Sequence, residues 1–158
     1  MGRPDQFQMG HYELVAESPF INDSEGEVRQ GTTNRSGDNR ELRVDESDLT
    51  FIRIDFQTRL QFGATEIRIG CPFSFIRNGR AVQLDPEDRD TLGALLPLYP
   101  DSLNSASVGG DGTLTLEFIS GARVIVPQHA QYEAWEVHGH GYLVICVPGT
   151  TGDLAIWS

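Results

Sequence analysis

From residue 49 to the last residues of the chain, apolar and polar side chains change places at every second position. Glycine-bearing turns cut this alternation into short pieces. Period two is the mark of a strand with one face buried, because successive side chains point to opposite sides of the pleat. Ile52, Ile54, Phe56, Leu60 and Phe62 alternate with Phe51, Arg53, Asp55, Gln57, Arg59 and Gln61, which predicts a first half-buried strand. Gly63-Ala64 turns the chain, and Ile67, Ile69, Cys71, Phe73 and Phe75 alternate with Glu66, Arg68 and Ser74 as a second. Pro72 has no N–H for a ladder, so it marks an edge or a bulge. Asn78-Gly79 is a two-residue hairpin signal leading into a third strand at Arg80–Leu84. Further strands are predicted at Leu103–Val108, Leu114–Ile119, Arg123–Val126, Tyr132–Val137, Leu143–Val147 and Leu154–Trp157.

One segment breaks the period. Asp85-Pro86-Glu87-Asp88 reads as a helix start: Asp85 caps, Pro86 suits the first helical position, and the acids face the positive end of the helix dipole. Leu92, Leu95 and Leu96 then line one helical face, and Pro97 and Pro100 end it. The expectation is an α+β fold, a mostly antiparallel sheet of about seven or eight strands with one main helix at about residues 86–96.

Upstream the pattern stops. Residues 22–48 are polar, charged and nearly free of large apolar side chains, too few to offset the entropy of ordering them. Residues 1–48 are therefore expected to be mostly disordered or loosely docked, and residues 49–158 to form the single domain. Tyr12, Leu14, Val15, Phe20 and Ile21 make a small apolar island. It could add an edge strand or a docking segment, or begin a tail carrying a recognition motif.

The chain has 158 residues and a formal net charge of −11, and all of its basic residues are arginine. That charge repels phosphate backbones, so nucleic acid is not an expected partner. It favours solubility and steers the chain toward a basic protein. No apolar run approaches the length of a membrane span, and no hydrophobic leader opens the chain, so the expected compartment is the cytoplasm.

Candidate chemistry is sparse. His138 and His140 are spaced to share one face of a strand, and His129, Glu133 or Cys146 could complete a metal set. The glycines around His140 read instead as a hairpin turn, so no metal and no cofactor is expected. Cys146 lies in the apolar run Leu143-Val144-Ile145-Cys146-Val147 and reads, like Cys71, as a buried thiol rather than a nucleophile. The loop Gly109-Gly110-Asp111-Gly112 leads into a strand and lacks the helix N-terminus that a phosphate site uses. Trp135 and Trp157 read first as core anchors, with Trp135 a candidate partner-facing aromatic. Glu87 and Asp88 are candidate steering charges for a basic partner.

The C-terminal half carries an ordered set of short elements: Gly112-Thr113-Leu114, Phe118 with Gly121, Val126-Pro127, Tyr132-Glu133-Ala134-Trp135, Val147-Pro148-Gly149 and Leu154-Ala155-Ile156-Trp157. With Asp85-Pro86-Glu87-Asp88 upstream, they resemble a family of small actinobacterial proteins known as a domain of unknown function, over roughly residues 50–158. The resemblance implies no activity and no functional residues. By analogy, small acidic proteins of this kind are similar to immunity proteins that neutralise toxin domains. The leading expectation is thus a non-enzymatic protein-binding module, most concretely such an immunity protein. The alternatives are a small-molecule-binding domain or enzyme with a site between sheet and helix, and an accessory domain of a phage or defence assembly.

Overall fold

The computed structural model describes residues 18–21 and 39–158. Among these residues twelve strands form two antiparallel six-stranded sheets. In the first sheet the order is β1 (Arg40–Glu41), β7 (Leu103–Val108), β8 (Leu114–Phe118), β9 (Arg123–Val126), β5 (Phe73–Arg77) and β6 (Arg80–Leu84). In the second it is β12 (Leu154–Trp157), β11 (Tyr142–Cys146), β10 (Trp135–Gly139), β4 (Thr65–Ile69), β3 (Thr58–Phe62) and β2 (Leu49–Ile54).

The alternation sorts side chains by face. Leu60 and Phe62 of β3, Ile67 and Ile69 of β4, and Val137 and Val144 of β10 and β11 are buried on one sheet. Leu114, Leu116 and Phe118 of β8 and Val124 and Val126 of β9 are buried on the other. All belong to one hydrophobic core. Phe62 and Phe118 meet across it with ring centroids 6.2 Å apart. Each such side chain removed from water contributes about 1.5–3 kcal/mol.

The expected single sheet with a main helix is therefore corrected to two packed sheets. Period two reports that one face is buried, but not which sheet a strand joins. The run read as one strand from Ile67 to Phe75 breaks at Gly70-Cys71-Pro72, where the chain leaves the second sheet for the first. It returns between β9 and β10 along residues 127–134. These two crossovers are joined by a hydrogen bond in which Gly70 N–H donates to the Ala134 carbonyl at 2.9 Å. A Cβ on Gly70 would stand 3.3 Å from the Glu133 carbonyl oxygen, so the glycine allows that approach.

Two further corrections follow from local chemistry. The run from Phe51 to Phe62 is two strands, because residues 55–57 form a tight turn: Asp55 N–H donates to the Gln57 carbonyl at 3.1 Å, and Gln57 N–H to Asp55 Oδ1 at 3.0 Å. The helix is shorter and tighter than residues 86–96. Asp88, not Asp85, caps α1 (Arg89–Leu92), its carboxylate accepting from Asp90 N–H at 3.2 Å. A 3-10 segment, Gly93–Leu98, continues it and contains Pro97. Leu92, Leu95 and Leu98 are buried while Leu96 is exposed. A spacing of three is the repeat of a 3-10 helix, whose side chains at i and i+3 eclipse.

The residues before Leu49 contribute to the core. Leu42 is buried beside Ala106, whose carbonyl accepts from Leu42 N–H at 2.8 Å. Phe20 is buried as well, bridged to Leu42 in antiparallel fashion, with the Arg40 guanidinium 3.6 Å above its ring centre. The polar stretch at residues 22–38 and the island residues Tyr12, Leu14 and Val15 lie outside the described residues. Among the described residues no helix is long and apolar enough to cross a membrane.

Candidate functional site

Strand register gathers several connections at one end of the sandwich. Ile69 pairs with both Thr58 and Trp135, Phe73 with Leu84, and Leu114 with Val126. The turn at residues 55–57, both crossovers and the Asp85–Asp88 segment therefore share this end, as does the loop at residues 109–113.

Trp135 lies beneath these loops, fully buried, its indole N–H donating to the Gly112 carbonyl at 2.9 Å. The Cys146 thiol points at the same carbonyl, 3.7 Å away. Gln128 Nε2 donates to the Val147 carbonyl at 2.8 Å and to Thr150 Oγ1 at 3.0 Å. Gly152, at φ +93°, has no room for a Cβ against the Gly110 carbonyl. The glycine, tryptophan and Pro-Gly elements singled out in the sequence are thus one packing device that locks three loops together. Trp135 presents no surface to a partner.

The two thiols are chemically quiet. Burial pushes Cys71 up to about 12, with Cys146 and Asp85 adding to it, and pushes Cys146 up to about 11, with help from Asp111. Neither is ionised at neutral pH, and the thiolate is the nucleophilic form. His138 sits on the outer face of β10 with Nε2 2.7 Å from Glu136 Oε2. His140 is exposed in the turn after it, and among the described residues no three His, Cys, Asp or Glu side chains are grouped to hold a metal ion.

Glu87 and Asp88 are exposed at the crossover end, and so is Glu133. Among the described residues no arginine pairs with any of the three. Two aromatic side chains are exposed on connections at the same end. Phe56 is 93% exposed at the tip of its turn. Tyr132 stacks on His129 with ring centroids 3.7 Å apart and remains 36% exposed. Its phenol is held above the usual range, first by burial and then by Cys71, with Glu87 and Asp85 adding to it. Sequence reasoning missed Phe56 because alternation counted it with the buried set; the Asx-type turn at Asp55 was the available signal.

The outer face of the second sheet differs. Its charges alternate in sign: Arg53 and Arg59 hold Asp55 at 3.2 and 3.3 Å, and Arg59 reaches Glu66 at 3.5 Å. Arg68 pairs with Glu66 and approaches Glu136 at 3.9 Å. The carboxyl of Asp55 is held below its ordinary value by the Gln57 N–H and then by the two arginines. Trp157, 55% exposed, pairs with Leu143 at the edge of this balanced ladder. An open groove of about 440 Å³ near the opposite end is lined by Asp48, Thr50, Tyr99 and Asp101 among others. Two of those groups are already engaged, Ser102 Oγ donating to Asp48 Oδ1 at 2.6 Å and Ser120 Oγ donating to Asp101.

Residues 40–158 match the model of a family of unknown function, DUF6188, and the chain belongs to that family. No curated protein and no solved structure matches it.

Proposed function

We propose that this member of the DUF6188 family is a binding module for a basic protein and has no catalytic chemistry of its own. The observation that carries the reading is the unmatched charge at the crossover end. Glu87, Asp88 and Glu133 are exposed there without an arginine partner among the described residues, in a chain of net charge −11. Such a field raises the encounter rate with a basic surface and disfavours phosphate backbones. Two thiols kept protonated by burial fit a role without nucleophilic chemistry.

The narrower reading is a cytoplasmic immunity protein that occludes a toxin domain. Small size and acidity support it. The test is the kinetics of complex formation with the product of a neighbouring toxin gene, from low to physiological ionic strength. A nanomolar complex is expected, with association that slows as salt rises. The pair of changes Glu87→Gln and Asp88→Asn should slow association several-fold and leave dissociation nearly unaltered. Association indifferent to salt would remove the charge-based reading. Gene neighbourhoods without a toxin, across many relatives, would remove the immunity reading and leave the basic partner.

A further inference from the structure

We infer that the free edge of β12 is a self-association site, where two copies of this chain pair antiparallel about a two-fold axis through Ile156. This surface is separate from the acidic one that the basic-partner reading invokes.

β11 and β12 depart from the rest of their sheet. On its outer face, β3, β4 and β10 carry Arg59, Glu66, Arg68 and Glu136. In register with Glu136 and His138, β11 instead turns Ile145 and Leu143 outward, and β12 turns Ala155 and Trp157 outward beside them. Tyr142, Val144 and Cys146 are buried on the inner side. β11 is thus apolar on both faces, the pattern of a strand that is covered on both. Trp157 is 55% exposed and Ile156 39%.

The edge itself is unguarded. Natural sheets protect edge strands with charges, bulges or a cover. β2 has a register shift between Leu49 and Phe51 and carries Arg53, β6 carries Arg80, and β1 is flanked by the bridge from Phe20 to Leu42. β12, Leu-Ala-Ile-Trp, has no charge, no proline and no bulge, and among the described residues only β11 pairs with it.

Register determines how a second copy fits. Val147 N–H donates to the Asp153 carbonyl at 3.0 Å. In an antiparallel ladder that alternation makes Ala155 and Trp157 the residues bonded to β11, and it points the N–H and C=O of Ile156 away from the sheet. Across the two-fold axis the outward groups of one Ile156 meet those of the other. Trp157 of each copy then lies opposite Ala155 of the other, large against small, and Asp153 stays outside the pairing. Charge favours a copy over a basic partner here. Arg59 and Arg68 are matched by Glu66 and Glu136, so this face offers a cation no excess of negative charge. The net charge of −11 on each copy opposes pairing from a distance, and salt screens that repulsion.

The experiment is sedimentation of the full chain over a range of concentrations at low and physiological salt, with amide hydrogen exchange in dilute and concentrated protein. A dimer that strengthens as salt rises is expected, opposite in sign to the binding of a basic partner. The Ile156 amide should exchange fast in dilute protein and slow down as the dimer forms. Ile156→Pro removes an outward N–H and no bond to β11, so it should abolish the dimer and leave the melt of dilute protein near that of the parent. Trp157→Lys places a charge on the edge and should weaken the dimer about tenfold or more. A chain that stays monomeric up to about 1 mM, a dimer that weakens with added salt, or one that survives either substitution would overturn this surface. Each of these outcomes leaves the basic-partner reading in place.

Discussion

Trp135 and Trp157 are the same residue with opposite fates. Trp135 begins β10 beneath three loops, makes a hydrogen bond to Gly112 and is fully buried; Trp157 ends an edge strand and is half exposed. Trp135→Ala should therefore cost about 3–5 kcal/mol of stability, since it opens a large cavity and leaves the Gly112 carbonyl without its indole donor. Denaturant melts of Trp135→Ala and Trp157→Ala measure the contrast, with the second expected near the parent. The thiols act at the same scale. A thiol whose folded value is raised binds its proton more tightly in the native state, so its contribution to stability is full below the unfolded value near 9. It is lost as pH rises toward about 11 for Cys146 and about 12 for Cys71. Native protein at pH 8 should resist a thiol reagent that labels both cysteines once it is unfolded. Rapid native labelling would show that the thiols are not shielded.

Among the elements, the segment after β6 shows how a few residues choose between helix types. Gly93 and Pro97 both disfavour an α-helix, and the buried leucines recur every third residue. The 3-10 geometry buries Leu95 and Leu98 and turns Leu96 outward, whereas an α-helical reading groups Leu92, Leu95 and Leu96. Leu95→Ala should cost about 2–5 kcal/mol, and Leu96→Ala should stay within about 0.5 kcal/mol of the parent. Equal losses at the two positions would restore the α-helical face. Strands β2 and β3 make a similar point: the hydrogen bonds of Asp55 turn an alternating run into a hairpin and put Phe56 at its tip.

For the whole molecule, the issue is where the cooperative unit begins. Leu42 and Phe20 share the core with the strands that follow Leu49, and the Tyr142 hydroxyl donates to the Arg43 carbonyl. Leu49 N–H donates to the Asp101 carbonyl at 3.0 Å, and Leu103 N–H to the Ser47 carbonyl at 2.7 Å. The stretch from Arg40 to Ile54 thus runs from the edge of one sheet to the edge of the other. A chain beginning at residue 49 loses that lacing and both apolar anchors. Its thermal melt should be lower and broader than that of the full chain, and Leu42→Ala alone should cost about 2–5 kcal/mol. A truncated chain melting like the full one would place the unit's start at Leu49.

The strands were legible because burial of one face writes itself into period two, and the turn at Asn78-Gly79 because it carries backbone preferences that need no tertiary partner. Net charge and the quiet character of Cys146 within its apolar run were legible for the same reason: both depend on composition or near neighbours. The tertiary structure alone decided which sheet each strand joins, since Ile69 and Phe73 alternate in phase yet separate at Gly70-Cys71-Pro72. It alone placed Trp135 under the Gly112 carbonyl and Phe56 in solvent, because burial depends on what lies opposite a side chain. Phe56 and Tyr132 are separated by most of the domain in sequence. Strand register brings them to one end of the sandwich, and no local pattern encodes the placement of segments so far apart.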